Sequence, residues 1–184
     1  MTTALYIVLG LAALVILWVV LAYNGLVRLS QQAREAESDI DVQSKRRFDL
    51  IPNLMETVRG YMAHERGTLE DVTRARTEFL AAKTPREQVQ ANDMLSNTLK
   101  TLFAVSENYP DLKANVNFLD LQRELADTEN KIQAARRFYN ANVRDLNVRI
   151  EQFPTNIIAG AFGFRRAEFF EAEAAAGAPV AVRF

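Results

Sequence analysis

The pattern of apolar and polar positions divides the chain into two parts. Residues 4–22 are an unbroken apolar run, and no charged side chain precedes Arg28. As a helix this run is about 28 Å long, close to the hydrocarbon thickness of a bilayer. It therefore predicts a transmembrane anchor over residues 1–23. A cleaved signal peptide is the alternative, but the run is longer than such a segment needs and lacks a leading positive charge.

After this run, apolar residues recur at spacings of three and four, as in amphipathic helices. The spacing predicts an all-α fold, in which the N-terminal transmembrane helix continues into an antiparallel up-and-down helical bundle with long coiled-coil-like helices over residues 24–153. We expect a second helix to begin at Asp49 with Pro52 in its first turn, and a third to begin near Pro85. Pro154 ends the fourth and longest helix.

The fourth helix carries a coiled-coil seam with two polar positions, Thr128 and Asn142. Polar residues in a seam usually fix register or partner choice at some cost in stability. We therefore predict that this pair takes part in self-association of a homo-oligomer. The alternative is that both residues lie at a less buried edge of the bundle.

The segment DIDVQSKRRFDLIPNL, residues 39–54, combines acidic, basic and turn-forming residues. Asp39 and Asp41 point away from each other on a helix, so they do not chelate one ion. The cations at 45–47 are about 33 Å beyond the membrane end of the helix, whereas attraction to anionic lipid decays over about 10 Å. We expect a corner at the distal tip, beside the motif NYPDLK. The predicted partner-binding residues are Phe48, Asp49, Pro52, Asn53, Tyr109, Pro110, Asp111 and Lys113.

Residues 154–170 are rich in aromatic side chains and glycine, and we expect them to lie near the membrane end. The predicted membrane-interface residues are Ile157, Ile158, Phe162, Phe164, Arg165 and Arg166. The alternative is that this segment folds onto the bundle as additional core. Residues 171–184 form a predicted flexible tail, whose apolar ending is either a ligand for a PDZ-like groove or a frayed terminus.

Composition argues against several functions. A formal net charge of -1 gives no field that would recruit nucleic acid, and the absence of cysteine excludes thiolate chemistry. The single histidine, His64, is not part of an HExxH motif, and no GxSxG or phosphate-binding loop occurs. We therefore predict no enzyme, metal, cofactor or small-molecule substrate. The predicted partners are the membrane lipid bilayer, further copies of the chain and an unidentified envelope protein.

Several motifs together resemble the LemA family of bacterial membrane proteins. They are the segment beginning YNGLVRLSQQAREAE, followed in order by YPDLKAN, LQRELADTENKIQAARRFYN, FPTNIIAG and FGF. The resemblance implies a single-pass inner-membrane protein with a helical bundle and no established catalytic activity. Arg28 and Arg34 follow the span, so the positive-inside rule predicts a cytoplasmic soluble part. We expect a scaffold or adaptor that binds envelope partners. The alternative is a regulatory or signalling component that modulates a membrane protease, transporter or sensor.

Overall fold

The computed structural model describes residues 2–83 and 85–170, and these residues form helices without any strand. The predicted all-α fold is thus confirmed. The predicted tail, residues 171–184, lies outside the described residues. The helices are α1 (Thr2–Arg59), α2 (Arg66–Ala81), α3 (Pro85–Ser106), α4 (Pro110–Lys113), α5 (Val116–Glu151) and α6 (Thr155–Ala161).

The first helix is longer than expected. Asp49 does not begin a new helix, because α1 runs without interruption to Arg59 and contains Pro52 in its interior. An interior proline removes one helical hydrogen bond. Here the apolar stripe continues across it, and Ile51 and Leu54 are both 0% exposed, so burial of that face outweighs the lost bond. The chain turns at residues 60–65, and the predicted corner at 48–53 is wrong.

The described residues fall into two compact units. The first is formed by residues up to Ser38 together with Arg136–Phe169, and the second is built on Asp39–Ala135. Each unit has its own hydrophobic core.

The second unit is a helical bundle with short connections, in which α2 packs against α3. Side chains from α1, α2, α3, α4 and α5 share its core because each helix presents apolar residues on one face. Phe103 and Phe118 meet edge to face with ring centroids 6.0 Å apart. The buried core residues are Ile51, Leu54, Met55, Val58, Met62, Val72, Ala75, Leu95, Leu99, Leu102, Leu112, Phe118 and Leu125.

The core of the first unit is smaller and joins α1, α5 and α6. It consists of Leu26, Leu146, Ile158 and Ala159. The segment after α6 is tied back to α5 by Asn147, whose Nδ2 donates to the carbonyl of Ala167 at 2.9 Å and whose Oδ1 accepts from the Ala167 amide at 3.0 Å. Gly163 allows the preceding turn, because its φ of 73° lies in the left-handed region that favours glycine.

The polar seam residues of α5 are buried. Thr128 is 0% exposed and Asn142 is 8% exposed, so the alternative of a less buried edge is wrong. Each donates a hydrogen bond within its own helix. The Thr128 hydroxyl donates to the carbonyl of Leu125 at 2.9 Å, and Asn142 Nδ2 donates to the carbonyl of Phe138 at 3.0 Å. Self-association through these residues stays a prediction.

Candidate functional site

The N-terminal part of α1 has the properties of a membrane span. Within the part of the chain that the structure describes, α1 is the one helix long and apolar enough to cross a membrane, and its apolar window is not buried by the protein. Large apolar side chains such as Leu14 and Ile16, each 64% exposed, are therefore available to lipid.

Aromatic side chains of the first unit gather at the end of this apolar window. The ring of Tyr23 lies 4.8 Å from that of Phe162 and 5.8 Å from that of Phe164, centroid to centroid. These contacts place the segment that follows α6 beside the last apolar turn of α1. Tyrosine at such a level suits a boundary between hydrocarbon and water.

The predicted membrane-interface residues divide into two groups. Ile158 is 7% exposed and Phe164 is partly buried, so both contribute to the core of the first unit. Ile157 and Phe162 are 60% and 59% exposed, which leaves their side chains open to surrounding solvent or lipid. Arg165 and Arg166 are exposed, and Nη1 of Arg166 lies 2.8 Å from a carboxylate oxygen of Glu151. Membrane contact by the exposed residues stays a prediction.

Close by, Tyr139 fixes the end of the described segment. Its hydroxyl donates to the carbonyl of Glu168 at 3.0 Å. Burial, reinforced by the carboxylates of Glu37 and Glu168, raises the pKa of Tyr139 above its ordinary value. The phenol therefore remains neutral at physiological pH and acts as a hydrogen-bond donor.

The second unit contains a buried arginine that sequence reasoning missed. Arg47 is 1% exposed, although it belongs to the run KRR. Its Nη1 donates to Ser96 Oγ at 2.7 Å and forms an ion pair with Glu129, while Nη2 donates to the carbonyl of Asn92 at 3.1 Å. These bonds join α1, α3 and α5. We call this group of four residues the arginine hub.

The neighbouring arginine has a different environment. Arg46 Nη2 lies 2.7 Å from Glu124 Oε1, and the two side chains are 50% and 38% exposed. The KRR run is therefore not a continuous basic patch. The spacing in the sequence contains the signal, because Ile40, Ser44, Arg47 and Ile51 follow one another at three and four residues and all are buried.

The end of the second unit that contains the turns is ordered by side-chain hydrogen bonds. Tyr109 Oη donates to Glu65 Oε1 at 2.7 Å, and this bond raises the pKa of Tyr109. Asn115 Nδ2 donates to Tyr61 Oη at 3.2 Å, and Tyr61 is 41% exposed. Lys113 forms an ion pair with Glu107, which belongs to the turn before α4. We call residues 60–65 and 107–115 the turn surface.

The structure assigns the predicted partner-binding residues to two places. Tyr109, Pro110, Asp111 and Lys113 belong to the turn surface, whereas residues 48–53 lie on α1. Asp49 is ten residues, about 15 Å of helix, before Arg59.

The ring of Phe48 stacks on Phe79 at 5.5 Å and lies beneath the guanidinium of Arg76 at 4.3 Å. Sequence reasoning missed Tyr61, Glu65 and Asn115 because it assigned the turn to Asp49 and Pro52. Binding by either group stays a prediction.

The part of the chain that the structure describes contains no cluster of side chains arranged as a metal-binding site. There, no group of three or more histidine, aspartate or glutamate side chains converges as metal ligands would. The polar clusters that do form, the arginine hub and the turn surface, are held by ion pairs and hydrogen bonds.

Among the described residues, one apolar helix long enough to span a bilayer continues into a helical bundle, which is the arrangement expected of a helical membrane protein. The LemA family matches residues 36–184, which is more than half of the chain. The protein therefore belongs to the LemA family.

Similar proteins carry two names. Protein LemA of Metamycoplasma hominis is 29% identical over 153 residues, covering 81% of this chain and 68% of that protein. Magnetosome protein MamQ 2 of Paramagnetospirillum magneticum is 26% identical over 184 residues, covering 86% of this chain and 68% of its own. Magnetosome protein MamQ of Magnetospirillum gryphiswaldense is 25% identical with the same coverages, 86% and 68%.

Proposed function

We propose that this protein is a membrane-anchored helical scaffold or adaptor of the LemA type, which self-associates and binds an envelope protein through its turn surface. The anchor is the apolar part of α1, in the bacterial inner membrane, with the soluble part in the cytoplasm. Membership of the LemA family supports the membrane location.

The observation that carries the binding role is the ordered, exposed turn surface. Tyr61 is 41% exposed, and its hydroxyl accepts a hydrogen bond from Asn115. Exposed aromatic side chains are enriched among the residues that dominate binding energy, and a hydrogen bond that favours one side-chain conformation lowers the entropy lost on association. Pro110 and Asp111 are exposed next to Tyr109, whose hydroxyl bonds to Glu65. Asp111 adds a negative charge to the turn surface, and Pro110 restricts its backbone.

Self-association needs exposed contacts. Two large apolar side chains of α5 are exposed, although this helix is not the apolar anchor: Phe138 is 55% exposed and Val148 is 53% exposed. Exposed large apolar side chains of this kind favour contact with another protein surface. Phe138→Ser is expected to lower the oligomer size measured by light scattering in detergent. The matched control is Val116→Ser, at a similarly exposed position in the second unit, which should leave the oligomer size unchanged.

Site-specific crosslinking tests the turn surface, because the chain has no cysteine of its own. A cysteine replaces Asp111 on the turn surface, Asp49 on α1, or Asn97 on α3, all three of which are exposed. We expect a discrete crosslinked product in cells from position 111 and none from position 97. A product twice the mass of the chain indicates self-association, and any other mass gives a partner for identification.

The three positions have distinct outcomes. Equal products from positions 111 and 97 would refute binding through the turn surface. A product from position 49 alone would move the binding site to α1, where the sequence predicted part of it. Labelling of position 111 by an impermeant maleimide in intact cells would contradict the cytoplasmic orientation. Capture of one partner by a monomeric chain would favour a regulatory component over a scaffold.

A further inference from the structure

A groove in the first unit combines apolar and cationic side chains. Its volume is about 530 Å³, within the range typical of ligand sites. Trp18 and Leu21 contribute apolar side chains to its lining, Arg28 and Arg149 contribute cations, and Asp145 also belongs to the lining. Trp18 is 38% exposed and Leu21 is 62% exposed, so the apolar part is open.

The order of these residues along α1 matches the profile of one bilayer leaflet. Leu21 belongs to the apolar run, and Arg28 follows it by two helical turns, about 10 Å. In one leaflet of a bilayer, the acyl chains are followed along the membrane normal by the phosphate groups, which is the same order as apolar residues followed by arginine along α1. A molecule that occupied the groove along α1 would therefore meet hydrocarbon-like side chains first and guanidinium groups next.

The two cations of the groove are available to a ligand. Among the described residues, neither Arg28 nor Arg149 has an ion-pair or hydrogen-bond partner from its side chain. The carboxylate of Asp145, by contrast, lies 3.6 Å from Nε of Arg144. The groove thus has an excess of positive charge, and arginine is the residue best suited to bind phosphate oxygens.

We infer that this groove binds one anionic phospholipid, whose phosphate is held by Arg28 and Arg149 and whose acyl chain lies along Trp18 and Leu21. Charge complementarity selects this occupant, because an apolar part alone would accept any lipid. The inference depends on anchoring by α1 and deepens the proposed function. It assigns to the first unit a lipid-binding role separate from the turn surface.

The test uses the fluorescence of Trp18, which is the single tryptophan of the chain. The full-length protein is reconstituted in phosphatidylcholine vesicles that contain phosphatidylglycerol, with bromine on the acyl chains of either lipid. Bromine quenches tryptophan on contact. We expect the binding constant for phosphatidylglycerol to exceed that for phosphatidylcholine by about thirtyfold, because each of the two arginines contributes about 1 kcal/mol.

Matched variants separate the groove from general attraction. Arg28→Gln with Arg149→Gln is expected to reduce the preference to below about twofold. Arg34→Gln with Arg137→Gln removes the same charge from exposed positions of the same unit that do not line the groove, and is expected to keep the preference. Far-UV circular dichroism confirms that each variant is folded. Equal loss in both variants would overturn the site in favour of diffuse attraction.

Other occupants give other results. Removal of the preference by inorganic phosphate, at constant ionic strength, would identify free phosphate as the ligand and overturn the lipid. Absence of quenching by either lipid would mean that protein covers the groove, as a second copy would. If the protein floats with the vesicles and both lipids quench it equally, the lipid site in the groove is refuted and the membrane anchor is not. If the protein does not float with the vesicles, the membrane anchor of the proposed function is refuted as well.

Discussion

Removal of the Arg47 side chain is expected to destabilise the second unit strongly. Its guanidinium is 1% exposed, forms an ion pair with Glu129 and donates to Ser96 and Asn92. Arg47→Ala leaves those acceptors without their donor and creates a cavity in the bundle. Breaking a buried ion pair by removing one partner typically costs about 3–5 kcal/mol.

The structure places the expected cost near the lower end of that range. Glu129 keeps the hydroxyl of Ser96 at 2.8 Å and the amide of Gln133 at 3.0 Å, and its side chain is 26% exposed, so water can solvate part of its charge. We expect a loss of about 3 kcal/mol, a large fraction of the stability of a typical domain. With an m-value of about 2 kcal/mol/M, the urea midpoint falls by roughly 1.5 M.

The adjacent arginine provides the matched control. Arg46→Ala removes the same number of atoms from the same helix and also breaks an ion pair to α5, but that pair is largely exposed. Exposed pairs contribute little and are screened by salt. Urea unfolding of the full-length protein in detergent, followed by far-UV circular dichroism, should therefore show a small, salt-sensitive shift for Arg46→Ala and a large, salt-insensitive shift for Arg47→Ala.

A second substitution keeps the test decisive if Arg47→Ala does not fold. Arg47→Met preserves most of the side-chain volume, and we expect it to fold with a lowered midpoint. Adding Glu129→Met removes the uncompensated carboxylate and should recover much of the loss, because replacing both members of a buried pair is often near neutral. Equal midpoints for Arg46→Ala and Arg47→Ala, or no recovery in the double variant, would refute the arginine hub.

Two further predictions concern hydrogen bonds, one in each unit. The Tyr109 pKa is raised by Glu65, so the bond stabilises the fold below the ordinary tyrosine pKa of about 10 and this stabilisation is lost as pH rises through the raised value. The stability difference from Tyr109→Phe should therefore shrink above that pH, and ultraviolet titration that shows this phenol ionising at or below the ordinary value would contradict it. Asn147→Ala removes both side-chain bonds to Ala167 and should weaken the tether by about 2 kcal/mol, accelerating tryptic cleavage at the adjacent arginine pair. The exposed control Asn156→Ala should leave cleavage unchanged, and similar cleavage of both variants would exclude the tether.

Helix spacing carried most of the fold that could be predicted from the sequence. The start of α3 at Pro85 and the end of α5 just before Pro154 agree with the predicted positions. The corner at Asp49 was wrong because a capping residue and a proline are local signals, whereas the apolar stripe through Ile51 and Leu54 is satisfied by tertiary burial. Where these signals compete, the free energy of burying a continuous face prevails.

The arginine hub was missed for a related reason. Residue type indicated a solvated cation at position 47, and only the period of the surrounding buried positions indicated otherwise. The partners of such a cation come from other helices, so they are not recognisable by spacing along α1. The turn surface was partly found, because the motif NYPDLK shows where one of its two segments lies. Its other segment depended on the position of the corner and was therefore displaced.

The buried polar groups of α1 and α5 have their partners within this one chain. Thr128 and Asn142 each donate a hydrogen bond to a carbonyl of α5, and Arg47 bonds to α3 and α5 within the second unit. A polar seam residue that acts within one chain affects stability when replaced, whereas one that acts between chains also affects oligomer size.

We therefore expect the combined replacement Thr128→Val and Asn142→Leu to change the urea midpoint without changing the mass measured by light scattering. A change in mass would instead assign both residues to self-association. In that case the seam positions of α5, rather than its exposed position Phe138, would form the contact between copies.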